Sequence, residues 1–366
     1  MRILHVLSSL APGGMEQMVV QLAADAVAHG DSVTVASGPG EWVDRVRAAG
    51  AGYVALPATS RSTSVSMAAA TATAVARLSG CIRELRPQVL HVHNVRAAAL
   101  ARLALTGTRH RAVLVPTLHG IAPGDYVGAS RVLRRAARRV IACAPSVGRS
   151  LQAAGFPAER IDVITNGAAL RPAGLARQAE LQAALGLGGA PLVVGIGRLV
   201  EQKNWPVFIA AAGRLDRAAA FAVAGDGPLR QELEQEARRF GDRVRFLGMI
   251  DDIAALVGLA ACVVSTSAWE GLPLTLLEAL SLGVPVVAPA IDGITDVVPP
   301  SAALLVAPGD PAAVSQAISR VLDDASVAAD LRRHALAAAP GWGPERMLDR
   351  YRGAYRAAWA GEPHWA

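Results

Sequence analysis

The chain has 366 residues, 52% of them hydrophobic but only 4% aromatic, with a formal net charge of +6. That length calls for two to three domains of roughly 150 residues each, and the apolar content excludes a disordered or fibrous protein. Cys81, Cys143 and Cys262 are far apart and odd in number, which fits neither a disulfide framework nor a CxxC site and points to a reducing, cytoplasmic setting.

The charge is unevenly placed. Residues 1–185 hold 20 arginines and 10 acids, whereas residues 186–366 hold 16 cations and 20 acids. The first half therefore attracts anions: phosphorylated substrates, or acidic lipid headgroups at the inner face of a membrane. Too few aromatics for base stacking, and no nucleic-acid module, argue against nucleic acid as a partner. Of the 36 cations only Lys203 is a lysine. In a chain whose surface cations are arginine by habit, one compact, flexible point charge marks a position that needs that geometry.

The opening MRILHVL reads as a first strand, since no small-residue cleavage site follows, and no window approaches 18 uninterrupted apolar residues. From there short Val/Ile/Leu runs alternate with Ala-rich helical stretches, which predicts an α/β chain with parallel strands covered on both faces. Strands are expected at 3–8, 32–36, 52–56, 89–93, 112–118, 140–143 and 162–165, and the pattern restarts at 192–196, 220–224, 244–247, 262–265, 284–288 and 303–306. Residues 168–190, with Pro172, Gly174 and the Gly186 to Gly189 cluster, show no strand pattern and read as a linker. The expected organisation is an N-terminal domain over 1–167, a C-terminal domain over 191–340 and a final segment, 341–366, whose helix packs back toward the N-terminal domain. One long helix is expected at about 311–338 and the last at about 344–360. Ligands of open parallel sheets bind beyond the carboxyl ends of the strands, so the loops there should carry the chemistry.

Three such loops stand out. After the first strand come Gly13 and Gly14, with a helix starting near Met15 and Glu16; glycines permit close backbone approach, and the helix start offers N–H groups to an anion. No full GxGxxG follows any strand, which removes support for a dinucleotide-dependent oxidoreductase. The second half opens with Gly195-Ile-Gly197-Arg198-Leu-Val-Glu-Gln-Lys203, placing two cations on one loop where they could neutralise a leaving diphosphate. Further on, small polar residues lead into Glu270-Gly271-Leu272-Pro273-Leu274-Thr275 and then Glu278. Pro273 suits the first position of a helix, and the amides of Leu274 and Thr275 would add the helix dipole to a bound diphosphate.

The Glu270 to Glu278 spacing resembles the acid-x7-acid motif of retaining GT-B glycosyltransferases of family 4, the "glycosyl transferases group 1". Other tags occur in the expected order: Gly13-Gly14-Met15-Glu16, His119 in Leu-His-Gly, Asn166-Gly167, Gly197-Arg198-Leu199 with Lys203, Gly225-Asp226-Gly227-Pro228 and Phe246-Leu247-Gly248. The resemblance implies two Rossmann-like domains facing a cleft. It also implies transfer of a hexosyl-type sugar, with retention, from a UDP- or GDP-sugar to a glycan or lipid-linked acceptor in surface polysaccharide or glycolipid synthesis. Carried over, Arg198 and Lys203 bind the donor diphosphate, Glu278 the ribose, and Glu270 with the amides of Gly271 to Leu274 the transferred sugar and phosphate. His119 faces the sugar; Gly14, Gly197, Gly227 and Thr275 line the donor site; Gly13 and Glu16 belong to the acceptor side. No cofactor or metal is expected, and the sequence holds no Asp-x-Asp. One departure is that Asn166-Gly167 continues with Ala168-Ala169, where family members commonly carry an aliphatic residue and Asp.

Two further features compete with plain structural roles. His91 and His93 alternate on a strand, a spacing that can bind metal but that lacks further ligands in sequence, so a core or cleft role is expected. Arg131, Arg134, Arg135, Arg138 and Arg139 fall at helical spacing, one cationic face that is either solvated or docks on anionic lipid. The alternative to an enzyme is a non-catalytic sugar-nucleotide-binding partner or regulatory subunit, which would be expected to lose His119 or Glu270; both are present.

Overall fold

The computed structural model describes residues 1–57, 64–168, 172–187 and 189–365. It divides into two compact units, Met1–Asn166 joined by Glu345–Ala366, and Gly167–Pro344.

The first unit is a seven-stranded parallel sheet of β1 (Arg2–Leu7), β2 (Ser32–Ser37), β3 (Gly52–Ala55), β4 (Val89–Val92), β5 (Val113–Leu118), β6 (Val140–Ala142) and β7 (Ile161–Val163), in the order β3-β2-β1-β4-β5-β6-β7. The strand interiors are almost wholly buried, as continuous Val/Ile/Leu runs dictate when helices cover both faces. On one face Ile3, Leu7, Val35, Val89 and Val115 form a core with Met18 and Leu22 of the helix Gly14–Ala28 and with Met347, Tyr351 and Tyr355 of the last helix, Pro344–Ala360. The chain's final helix thus completes the first unit's core.

The second unit is a six-stranded parallel sheet of β8 (Leu192–Ile196), β9 (Ala220–Ala224), β10 (Val244–Gly248), β11 (Ala260–Val264), β12 (Val286–Pro289) and β13 (Leu304–Val306), ordered β10-β9-β8-β11-β12-β13. All thirteen expected strands form. Residues read as a linker supply the helix Leu175–Leu185, whose Leu181 and Leu185 pack with Leu192, Val194 and Leu256. The helix expected over 311–338 is two helices, Pro311–Asp323 and Ala325–Ala338. It breaks because Asp324 turns out of the helix and accepts from the amides of Ser326 and Val327 as a cap.

In each sheet the order of connection reverses once, between β1 and β4 in the first unit and between β8 and β11 in the second. Loops leaving the carboxyl ends of strands on either side of such a point diverge and leave a crevice where ligands bind.

Candidate active site

Lys203 follows β8 and Glu270 follows β11, so the reversal in the second sheet sets the two loops side by side. Lys203 Nζ donates to Glu270 Oε1 at 2.5 Å. Ser267 Oγ donates to the same oxygen at 2.7 Å, and Gln202 Nε2 donates to Oε2 at 3.3 Å and to the Trp269 carbonyl at 3.0 Å. The loops are stitched further by Thr266 Oγ1 donating to the Lys203 carbonyl and Ala268 N to the Gln202 carbonyl, both at 2.9 Å. Glu270 is almost fully covered, with its side chain 6% exposed against 19% for Lys203. Three donors fix the carboxylate, and among the described residues the ammonium has this one acceptor, which leaves two of its three N–H bonds for another. Ser267 and Gln202 are site residues that the motif reading missed; the only signal was their adjacency to Glu270 and Lys203.

Glycines make this approach possible by backbone contact. Gly197 has φ 155°, and a Cβ there would lie 3.0 Å from Lys203 Cε, so the lysine stem runs over a bare backbone. A Cβ at Gly225, φ 139°, would come within 2.1 Å of the Gly197 carbonyl, and one at Gly227 within 2.5 Å of the Leu199 carbonyl. These two glycines thus seat the loop after β9 against the loop after β8, where Leu199 N donates to the Asp226 carbonyl. Arg198 projects into solvent and has no ion-pair partner among the described residues; its carbonyl accepts from Trp205 Nε1 at 2.9 Å.

Pro273 stands one position earlier than expected, as the N-cap of the helix Leu274–Ser281. The first helical bonds run from Leu276 and Leu277 to the Pro273 carbonyl, so the amides of Leu274 and Thr275 precede the helical ladder, as an anion site requires. Gly271, Leu272 and Leu274 are buried, and so is Glu278, one turn beyond Leu274. Behind the loop, Gly293 lies so close that a Cβ would meet the Glu270 carbonyl at 2.3 Å. No sequence pattern marks Gly293.

In the first unit, Gly13 caps the helix Gly14–Ala28, and a Cβ on it would strike Glu16 Oε2 at 2.5 Å, so these three residues form one tight helix start. His119 follows β5 and lies in a row of histidines on one sheet face. His5 Nδ1 is 2.9 Å from His93 Nε2, and His93 Nδ1 is 3.4 Å from His119 Nε2. His91 bonds the Tyr355 hydroxyl through Nδ1 at 2.7 Å and Thr117 Oγ1 through Nε2 at 2.8 Å. Burial disfavours the charged ring in all four: His5 is pushed down to about 3, His119 to about 4, and His91 and His93 well below the ordinary range. His5, His91 and His93 bring nitrogens within 4.8 Å of one another, a third potential ligand that the sequence spacing did not reveal. Both ring nitrogens of His91 and of His93 are already hydrogen-bonded, so ligating a metal there would break those bonds.

The arginine helix is shorter than its spacing suggested. It spans Tyr126–Ala136, after which Ala137 is extended and the chain enters β6. Arg139 is buried, with its Nε and Nη2 on the two oxygens of Asp162 at 2.6 and 2.8 Å. Arg131, Arg134 and Arg135 remain exposed on the helix, and Arg138 is exposed beyond its end.

The description "Glycosyltransferase Family 4" matches residues 12–171, and "Glycosyl transferases group 1" matches residues 190–324. The chain is 30% identical over 412 aligned residues to 2-deoxystreptamine N-acetyl-D-glucosaminyltransferase of Streptomyces fradiae, covering 100% of this chain and 93% of that protein. It is 31% identical over 188 residues to the lipopolysaccharide core biosynthesis glycosyltransferase LpsD of Rhizobium meliloti, 50% of this chain and 53% of that one. HepE of Anabaena, solved with UDP-glucose, superposes with a TM-score of 0.85 at 22% identity, over 96% of this chain and 98% of HepE. Two Rossmann-like parallel-sheet units of this kind define the GT-B fold. The chain belongs to glycosyltransferase family 4 and is a glycosyltransferase.

Proposed function

We propose that the enzyme moves a hexosyl-type sugar, with retention and without a metal, from a nucleoside diphosphate sugar to a glycan or lipid-linked acceptor in surface glycan or glycolipid synthesis. The observation that carries the donor half is the Lys203–Glu270 pair beside the Leu274 and Thr275 amides. Arg198 and Lys203 take the diphosphate, with Lys203 turning its remaining N–H bonds to the phosphate. Glu270 accepts from sugar hydroxyls, and Glu278 accepts from the ribose. Fixed cations and amides stabilise the departing diphosphate, and its oxygen takes the acceptor proton as the new bond forms on the same face. His119 contacts the transferred sugar. Complexes of HepE with UDP and UDP-glucose support a uridine donor.

For the acceptor, charge favours one of two readings suggested by relatives. The first unit holds 22 arginines and 12 acids, the second 14 cations and 18 acids. A basic acceptor unit repels an aminocyclitol such as the one named for the Streptomyces relative and attracts a phosphate-linked glycan. Exposed Arg131, Arg134 and Arg135 would hold the enzyme at an anionic membrane carrying that acceptor.

Mixing the enzyme with UDP- and GDP-sugars and polyprenyl-phosphate-linked or aminocyclitol acceptors tests this. Release of nucleoside diphosphate with an α-linked product from an α-linked donor is expected with the phosphate-linked acceptor. An inverted product would overturn retention, and transfer only to the aminocyclitol would overturn the acceptor reading.

A further inference from the structure

The Glu270 carboxylate offers about four acceptor directions, two on each oxygen. Oε1 spends both, on Lys203 Nζ at 2.5 Å and Ser267 Oγ at 2.7 Å. Oε2 takes a single donor among the described residues, Gln202 Nε2 at 3.3 Å. The direction left for a ligand hydroxyl is therefore on Oε2, beside the Gln202 amide. Two donors on one oxygen still let the group pivot about it, because the last torsion of a glutamate side chain is broad. A donor on the other oxygen is what sets the plane.

Gln202 supplies it from the facing loop, in the short turn Glu201–Lys203 after β8. Its amide nitrogen spans two acceptors, the Trp269 carbonyl at 3.0 Å and Glu270 Oε2. Neither partner donates, so nitrogen and not the amide oxygen occupies this place, and each of its two N–H bonds has an acceptor. The Gln202 carbonyl accepts from Ala268 N at 2.9 Å, so the residue is held by main chain and side chain together. Anchored at the Trp269 carbonyl, the second N–H meets Oε2 with the carboxylate turned one way. We infer that Gln202 is a positioning residue that orients Glu270, so that Oε2 accepts from one hydroxyl of the transferred sugar. A donor sugar without a hydroxyl at that point leaves Oε2 short of a bond, which makes the pair a determinant of sugar choice. The diphosphate, bound by Lys203 and the Leu274 and Thr275 amides, does not depend on it. The inference rests on the reading that Glu270 accepts from the sugar.

Calorimetric titration of the full-length protein with UDP and UDP-glucose, and with GDP and GDP-glucose, tests it. The ratio of nucleotide-sugar to nucleotide affinity reads the sugar contact alone. Gln202→Met keeps the stem and removes both N–H bonds. It should leave the nucleoside diphosphate affinity within about twofold and shift the ratio against the sugar by about 5- to 10-fold. Ser267→Ala takes a donor from the oxygen that keeps Lys203, so its shift should be smaller. An unchanged ratio in Gln202→Met, with the ratio lost in Glu270→Gln, would overturn the positioning role and leave the Glu270 contact standing. Equal losses of nucleotide and nucleotide-sugar affinity in Gln202→Met, or a larger shift in Ser267→Ala, would also overturn it. A wild-type ratio in Glu270→Gln would instead remove Glu270 from the sugar, and the underlying reading with it.

Discussion

Lys203 Nζ lies 2.5 Å from Glu270 Oε1, 67 residues away in sequence, and the pair ties the loop after β8 to the loop after β11. The chain's one lysine is thus both an intraprotein partner and a candidate diphosphate ligand. Lys203→Ala should keep the fold, because Ser267 and Gln202 still donate to Glu270. It should lower turnover by about 10²- to 10³-fold, the loss typical of one donor to a developing anion. Lys203→Arg should recover little, since the stem must pass over Gly197 and end as a compact charge. Nucleoside diphosphate release at saturating donor measures both; a Lys203→Ala rate near wild type would remove the residue from the reaction.

Gly293 supports Glu270 from behind. The methyl of Gly293→Ala would sit 2.3 Å from the Glu270 carbonyl, a clash with backbone that only movement of the Glu270–Gly271 loop can relieve. Turnover is expected to fall at least about tenfold, since small displacements of positioning groups are costly. Circular dichroism should show the fold retained. Unchanged kinetics would mean that the loop tolerates the shift.

These two positions show what sequence could and could not convey. Lys203 and Glu270 were legible because rare composition and fixed spacing mark them, and the thirteen strands because buried parallel strands leave unbroken apolar runs. Gly293 was not, since its constraint is a contact across the sheet with no local pattern. The break at Asp324 was hidden inside an Ala-rich run that satisfies helical periodicity on both sides, and only the capping bonds reveal it. Arg139 fitted a helical face by spacing, yet Asp162 recruits it into the interior. The histidine row needed strand order, because His5, His93 and His119 lie on elements far apart in the chain.

The same row should make the protein acid-sensitive. His5 titrates at about 3 when folded, against an ordinary 6.5. As pH falls below about 6.5, the unfolded chain takes the proton and the folded chain does not, so stability is full above that pH and declines toward pH 3. For His5 the loss at pH 5 is on the order of 2 kcal/mol. Urea unfolding at pH 7.5, 6 and 5 should show the decline, and His5→Phe should make it less steep by one group's share, with His91, His93 and His119 keeping theirs, even though the variant starts less stable. An equal slope in both proteins would mean that His5 is not linked to the loss.

Arginines of the same sequence cluster should separate into two kinds. Arg139→Ala leaves Asp162 charged and buried, which costs about 3–5 kcal/mol when one partner of such a pair is removed. Arg131, Arg134 and Arg135 are exposed, so changing them together to Glu should shift stability little. That triple change should nevertheless abolish any binding to anionic membranes, where each basic residue contributes about 1 kcal/mol. Flotation with phosphatidylglycerol vesicles at low salt should therefore carry the wild-type protein upward and leave the triple variant behind, with the difference shrinking as salt screens the charges. Wild-type protein that stays with the soluble fraction at low salt would remove the membrane from the proposal, and flotation of the triple variant would move the contact to another surface.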